Sequence, residues 1–266
     1  MGETTLPTDL GHGLDYADEG KNYYEWLADT FASPLRQACN VGGSRRVVEH
    51  GAGTGLLSQL LLERGVGPMT LTEPDPKLAA ILAAKFEGRQ DVEVAHASLE
   101  EYLARAGEGA AHAIVSSNVL EHVADDEACL AAMWKLLRPG GTLALYVPAR
   151  PELYGEFDRE VGHQRRYRPG DLREKLVRAG FDVLLLKYRN LVGTLGWLVM
   201  GRLLKKRAVG LGSVRIYDRV VFPITRLVED RVAPPYGLNL LSIAEKPILA
   251  AHVVRSTTIS AKRPNS

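Results

Sequence analysis

The stretch Glu49-His50-Gly51-Ala52-Gly53-Thr54-Gly55 decides how the rest of the chain is read. It follows the short apolar run Arg46-Val47-Val48 and precedes Leu56, Leu57, Leu60 and Leu61, which recur at helical spacing. A strand over 46–50 therefore passes through a glycine turn into a helix. Glycine adopts backbone conformations that other residues avoid and lets a ligand come close to the amides. At the carboxyl end of the first strand of an open α/β sheet, such a turn faces the crevice where ligands bind. The dinucleotide fingerprint G-x-G-x-x-G would need a glycine where this chain has Leu56, and a phosphate-binding P-loop would need a lysine that is absent. The loop suits an adenosine ligand that has no pyrophosphate to cradle.

Outward from the loop the pattern alternates. Strands are expected over 69–72, ending at Glu73, then over 92–95, over 113–117 ending at Asn118, and over 142–147. Asp75 reads as an N-cap and Pro76 as the first residue of the helix that follows Glu73. The helix carrying Leu130, Met133, Trp134 and Leu137 is expected to stop at Arg138-Pro139-Gly140-Gly141. A further strand is expected over 181–187 and a last one over 236–243. Strands alternating with helices mean a doubly wound, mostly parallel sheet covered on both faces, an α/β fold. The organisation is an N-terminal helical lid over 1–44, a ligand-binding core over 45–190, a helical cap or dimerisation insertion over 191–235, and a last strand and tail over 236–266. Residues 16–39 read as one or two helices, with Pro34 interrupting the pattern.

Composition narrows the classes further. The 266 residues are 45% hydrophobic and 24% charged, ordinary for a globular protein, with a formal net charge of +1. A dedicated nucleic-acid binder is usually far more basic, so no nucleic-acid partner is expected. Cys39 and Cys129 form no metal or disulfide spacing, and with no signal peptide and no apolar run of about 18 residues a cytoplasmic protein is expected. The charge is unevenly spread. Residues 1–30 hold seven acids against one base, and residues 187–231 hold ten bases against three acids. The apolar and basic stretch over 195–207 reads as a cap, a homodimer face or a peripheral membrane contact.

Glu73, at the end of the second strand, sits where a carboxylate accepts both hydroxyls of a ribose. With the glycine loop, this carries a resemblance. Val47–Gly55 resembles the first motif of class I S-adenosylmethionine (SAM)-dependent methyltransferases, and Leu71–Pro76 the second. Ser116-Ser117-Asn118-Val119-Leu120-Glu121-His122-Val123 resembles the fourth-strand motif, and Leu136–Leu143 resembles the element before the fifth strand. The Asn-x-x-Glu-His form is similar to the small-molecule branch that includes ubiquinone- and menaquinone-type enzymes. Tyr154…Asp158…Gly162-His163-x-Arg165-Arg166-Tyr167 resembles members from natural-product and cell-surface glycan pathways. The resemblance implies a seven-stranded sheet whose last strand is antiparallel. It also implies methyl transfer to O, N or C of a small-molecule acceptor, leaving S-adenosylhomocysteine.

Position by position, the resemblance implies that Glu49 and the loop of Gly51, Ala52, Gly53 and Gly55 hold the methionine part of SAM. Glu73 would bind the ribose with Pro74 beside the adenine, Ser98 and Leu99 would contact the adenine, and Asn118, followed by Val119, would help bind the amino group. Relatives often carry Asp where this chain has Ser98, so adenine recognition passes to Ser98, a backbone group or Glu100. Tyr23, with Tyr24 and Trp26, reads as a lid or as core packing. For a general base, His163 is the first choice and His122 the second, with Tyr167 in the same loop. Glu121 and His122 supply two ligands and no third, so no metal site is expected. Arg150, Arg165 and Arg166 read as an anion clamp or a solvated loop. A SAM-binding protein with altered chemistry, a cyclisation or a partner-subunit role, stays open. A nucleic-acid methyltransferase is disfavoured because Ser117-Asn118-Val119-Leu120 lacks the Asn/Asp-Pro-Pro-aromatic pattern that grips a flipped base.

Overall fold

The computed structural model describes residues 20–39, 46–197, 217–229, 231–232 and 234–248. Its centre is a seven-stranded sheet made of β1 (Val47–His50), β2 (Met69–Glu73), β3 (Val92–His96), β4 (Ala111–Ser117), β5 (Leu137–Pro148), β6 (Asp182–Arg189) and β7 (Asn239–Glu245), in the order β3-β2-β1-β4-β5-β7-β6. The pairs among β1 to β5 are parallel, while β7 runs antiparallel to both β5 and β6. The expected sheet is the observed one. Between β1 and β4 the strand order reverses direction, which opens a crevice at their carboxyl ends.

Strand periodicity divides the core in two. Successive side chains point to opposite faces, so Val47 and Val115 join one buried cluster while the adjacent Val48 and Ile114 join the other. The first face is covered by α1 (Lys21–Cys39) and α2 (Leu56–Glu63), through Trp26, Leu27, Phe31 and Leu35 and through Leu57, Leu60 and Leu61. The helix α3 (Pro76–Lys85) adds Leu82 on that side. The second face is covered by α4 (Leu99–Ala106), α5 (Asp126–Leu136) and α7 (Pro169–Arg178), with α6 (Glu156–Glu160) in the loop after β5. Asp75 caps α3 by accepting from the Lys77 and Leu78 amides at 2.8 and 3.0 Å, with Pro76 at the first turn. So α1 forms a core layer, and only its first turn reaches over the crevice.

Two sequence expectations change. Pro34 lies inside α1 rather than interrupting it. Proline has no amide to offer, but burial of Phe31, Leu35 and Ala38 around it outweighs the lost bond. The helix α5 stops at Leu136, just before Arg138–Gly141 as expected, but β5 begins at Leu137 rather than at Thr142. A β-carbon on Gly141 would come within 2.8 Å of the Arg138 carbonyl and 3.1 Å of the His112 carbonyl, so glycine is what allows the backbones to meet there.

Between β6 and β7 the chain contributes α8 (Leu191–Trp197), a wide turn at Tyr217–Val221 and α9 (Phe222–Glu229). Residues 198–216, which hold most of the helix expected near 195–204, lie outside the described residues, as does Tyr16. Buried Asp218 accepts from the Asn22 and Tyr23 amides at 3.0 and 2.9 Å, filling the place of an N-terminal cap on α1 from 195 residues away. Buried Glu229 does the same for α8, accepting from Asn190 and Leu191 at 3.0 and 2.7 Å. Among the described residues, no helix is long and apolar enough to cross a membrane. Replacing Asp218 with alanine strands two amides and should cost about 1–2 kcal/mol, a fall of ~2–6 °C in melting temperature for a chain of this size. Asp218→Asn, itself a good cap, should recover most of that loss in the same thermal scan.

Candidate active site

The glycine loop turns from β1 to α2 with Gly51, Gly53 and Gly55 all at positive φ, 68°, 56° and 73°. Two of these glycines are needed for space as well. A β-carbon on Gly51 would sit 2.6 Å from Val119 Cγ2, and one on Gly55 would sit 2.7 Å from Leu82 Cδ2 and Phe86 Cε2. Gly53 differs, since a β-carbon there would meet nothing within 4 Å. The open side of the loop is therefore at Gly53. The Gly51 and Ala52 amides are committed to the Thr72 carbonyl at 2.9 and 3.1 Å, which ties the loop to β2.

Glu73 closes the other wall. Its Oε2 accepts from the Gly53 amide at 2.9 Å and its Oε1 from the Asp75 amide at 3.1 Å. Both oxygens are thus oriented by backbone, yet each keeps lone-pair capacity for a further donor. Burial raises the Glu73 carboxyl above its usual range against the lowering effect of those two amides. Pro74 follows, exposed, with its carbonyl 3.1 Å from His96 Nε2. Ser98 lies one residue beyond Ala97, whose amide donates to the Glu73 carbonyl at 3.2 Å. The Ser98 hydroxyl accepts from the Glu101 amide at 3.2 Å and its amide donates to Glu101 Oε2 at 2.8 Å, a capping box that starts α4. Leu99 is buried behind it.

Glu49 lies in the floor, 3% exposed, and its Oε2 accepts from Ser58 Oγ at 2.6 Å. Burial pushes its carboxyl up to about 8. A carboxylate in this setting, with one hydroxyl donor, is stabilised strongly by an incoming cation. Neighbouring His50 is buried against Ser116 Oγ at 3.2 Å and is pushed down to about 4. Asn118 directly follows β4 at φ 54°, with its amide on the Tyr146 carbonyl at 2.8 Å. Its Nδ2 donates to Tyr23 Oη at 3.1 Å. The aromatic ring of Tyr23 packs edge-on to Tyr24, Tyr146 and Phe222, and burial raises its hydroxyl above the usual range. Glu49, the glycine loop, Glu73, Asn118, Val119 and Tyr23 are thus brought together around one crevice.

A second group sits beyond Asn118. His163 Nδ1 lies 2.8 Å from Asp158 Oδ1, and the same oxygen takes Arg166 Nε at 2.7 Å while Oδ2 takes the Gly155 amide at 2.9 Å. Burial pushes Asp158 up, but the bonds from His163 and Arg166 outweigh it and hold the carboxyl below its usual range. With Asp158 ionised, Nδ1 carries the proton and Nε2 is left as the acceptor. Nε2 lies 3.8 Å from Glu121 Oε1. Glu121 is fully buried with no hydrogen bond to either oxygen, and burial pushes it up to about 8. The His122 ring stands edge-to-face on His163 at 4.7 Å, and burial, with a smaller contribution from His163 beside it, pushes it down to about 4.

Three corrections follow for the sequence expectations. Glu121 and His122 have a third neighbour after all, because the loop after β5 brings His163 to them, and one ligand atom from each lies within 4.8 Å of the others. The count of two ligands therefore no longer argues against a cation. Tyr167 is not part of this group: it is 2% exposed and its hydroxyl donates to Asp126 Oδ2 at 2.9 Å, holding the loop on α5. The three arginines are committed within the fold, Arg166 to Asp158, Arg165 to the Ala124 carbonyl and Asp126, and Arg150 to Glu152. Sequence reasoning also passed over Asp158 as the partner of His163 and Ser58 as the partner of Glu49. Neither pairing follows a strand or helix period.

Comparison with known proteins agrees with this fold. Residues 23–186 match the family model of a methyltransferase domain. A ubiquinone biosynthesis O-methyltransferase of Aromatoleum aromaticum is 33% identical over 97 residues, 36% of this chain and 41% of that protein, so the match spans under half of the relative's length. Among solved structures, the complex between the Haloferax volcanii Trm112 methyltransferase activator and a methyltransferase superposes with TM-score 0.62 at 17% identity, covering 93% of this chain and all of the other. A geranyl diphosphate methyltransferase in complex with SAM gives 0.58 at 14% identity, over 84% and 85% of the two chains. The family match covers well over half of the chain, and the seven-stranded sheet with its antiparallel last strand is the one the motifs imply: the protein belongs to the methyltransferase-domain family and carries the class I fold.

Proposed function

We propose that the protein moves a methyl group from SAM to a small molecule, with a hydroxyl as the favoured acceptor, in a bacterial natural-product, glycan or lipid pathway. The observation that carries the reading is the pair of carboxylates flanking Gly53. Glu73 is aimed by two amides, as a ribose diol requires, and Glu49 is buried with one hydroxyl donor, its burial outweighing the lowering charge of Lys85, as a site for an ammonium partner requires. The residues present fit SAM: a cation for Glu49, a diol for Glu73 and open space at Gly53. The adenine would lie beside Pro74 and the Ser98–Leu99 turn. The Ser98 hydroxyl uses an acceptor lone pair in the capping box and keeps its own proton to donate.

SAM supplies a methyl on a sulfonium, a good leaving group. The protein's residues have two tasks. The crevice orients the donor, and alignment of the reacting atoms is the larger part of the rate. His163 Nε2 receives the proton that a hydroxyl acceptor loses, and Asp158 holds the ring in the tautomer that makes this open to it. Arg166 and the Gly155 amide fix Asp158 in turn. His122 stays neutral at working pH and shapes the wall beside His163. The name of the curated relative, an O-methyltransferase, supports oxygen as the acceptor atom. A second reading is favoured by the buried Glu121 carboxylate, which no hydrogen bond satisfies: a divalent cation held by Glu121, His122 and His163 would orient the acceptor oxygen.

Glu73→Ala should weaken SAM binding at least tenfold in calorimetry, about 1.4 kcal/mol or more. The Glu49 carboxyl is raised to about 8 in the free protein, and a bound ammonium favours its ionised form. Binding near pH 7 should therefore release a proton, seen as a binding heat that changes with the buffer, and affinity should fall as pH drops below 8. Glu49→Gln should abolish that buffer dependence. His163→Ala should lower kcat by ~10²–10⁴ with SAM affinity unchanged. Zinc or manganese titrated into chelator-treated protein should give no heat under the dyad reading; a heat lost in Glu121→Gln would favour the cation.

A further inference from the structure

The helix α9 has a buried side and an exposed apolar side. Phe222, Thr225 and Glu229 are buried, with the Phe222 ring 5.8 Å from Trp26 on α1. On the opposite side Leu227 and Val228 are more than half exposed, as are Val220 in the preceding turn and Val232 just beyond. A face of four exposed aliphatic side chains at near-helical spacing is not needed to close the core.

Its charge is one-sided. Arg219 and Arg231 are exposed at the two ends of the face. The described acids of this segment do not offset them on the surface. Asp218 is buried on the first turn of α1 and Glu229 on the first turn of α8, each accepting two backbone amides. Arg226, half-buried, is paired with Asp29 at 2.7 Å. The sequence leading into the segment continues the trend: residues 191–216 contain Arg202, Lys205, Lys206, Arg207 and Arg215 and no acid at all.

We infer that this face, Val220, Leu227, Val228 and Val232 rimmed by Arg219 and Arg231, docks on an anionic lipid bilayer. Aliphatic side chains enter the acyl boundary while arginines meet the headgroups. A second copy of the chain is the poorer occupant, because a two-fold interface through the same patch would set its arginines against each other, with the described acids Asp218 and Glu229 turned inward. A protein partner fits less well, since the face offers valine and leucine and lacks the Trp and Tyr that anchor protein interfaces. The position has a use: the inner side of α9 packs on α1, whose first turn reaches over the crevice, so docking would hold the lid side of the site against the membrane. The inference does not depend on methyl transfer.

The test is flotation of the full chain with phosphatidylglycerol/phosphatidylcholine vesicles and with phosphatidylcholine alone, at 0.15 M and 0.5 M salt. Partition into the anionic vesicles is expected, weaker at high salt and absent from the zwitterionic ones. Arg219→Glu with Arg231→Glu should lower it on the order of thirtyfold or more, and Leu227→Ser with Val228→Ser should abolish it. Thermal scans and SAM calorimetry on the same variants should match the wild type. That result shows that they fold and keeps failure here distinct from failure of the SAM reading. No partition into anionic vesicles, or partition indifferent to both double variants, would overturn the inference. So would a dimer dissolved by Leu227→Ser with Val228→Ser in sedimentation, without vesicle binding, which would assign the face to a second copy.

Discussion

A β-carbon at residue 51 would lie 2.6 Å from one Val119 methyl and 2.8 Å from the other. This closeness joins the end of β1 to the end of β4 at the point where the sheet reverses its order, and most of the site depends on it. Because the backbone turns tightly at Gly51, the Gly51 and Ala52 amides reach the Thr72 carbonyl on β2, and the Gly53 amide then falls on Glu73. Asn118, one residue before Val119, is carried to Tyr23 on α1. Three strand ends and a helix from outside the sheet core thus meet around a single loop.

Burial alone does not decide what a carboxylate does here; its donors do. Asp158 accepts from a histidine, an arginine and an amide, and stays ionised below its usual range. Asp218 and Glu229 accept amides and serve as helix caps. Glu49 has one hydroxyl donor and Glu121 has none, and both are pushed up to about 8. An acid left so poorly compensated inside a fold is costly in the absence of a partner. The two that stand out this way are on the crevice side and on the His163 side, where the donor and acceptor of a transfer reaction would meet.

The strands, the glycine loop and the Asp75 cap were legible because each is a local pattern: alternation of apolar residues, glycine spacing, and Asp-Pro at a helix start. Glu73 and Asn118 were legible because they lie at strand ends. What escaped the sequence was carried by contacts between distant segments. Asp218 caps α1 across 195 residues, and Asp158 reaches His163 inside an irregular loop where neither period applies. Pro34 was misjudged because local chemistry argues for a break while tertiary burial of Phe31 and Leu35 argues for continuity, and burial prevails. His163 was singled out by residue type, but its meeting with Glu121 and His122 depends on how the loop after β5 folds back. The Ser98 capping box could have been read from Ser98-x-x-Glu101, a spacing that lies in plain view.

A crevice between β1 and β4 built for SAM, as proposed, must bind SAM and its product in preference to other adenosine ligands. The most direct measurement is calorimetric titration of the wild-type protein with SAM and S-adenosylhomocysteine, with NAD and ATP as controls. One-site binding of both sulfur compounds, with neither control bound, is the expected result. Binding of NAD in place of SAM, or no heat with any of the four, would contradict the claim and would mean that Glu49 and Glu73 flank a different ligand.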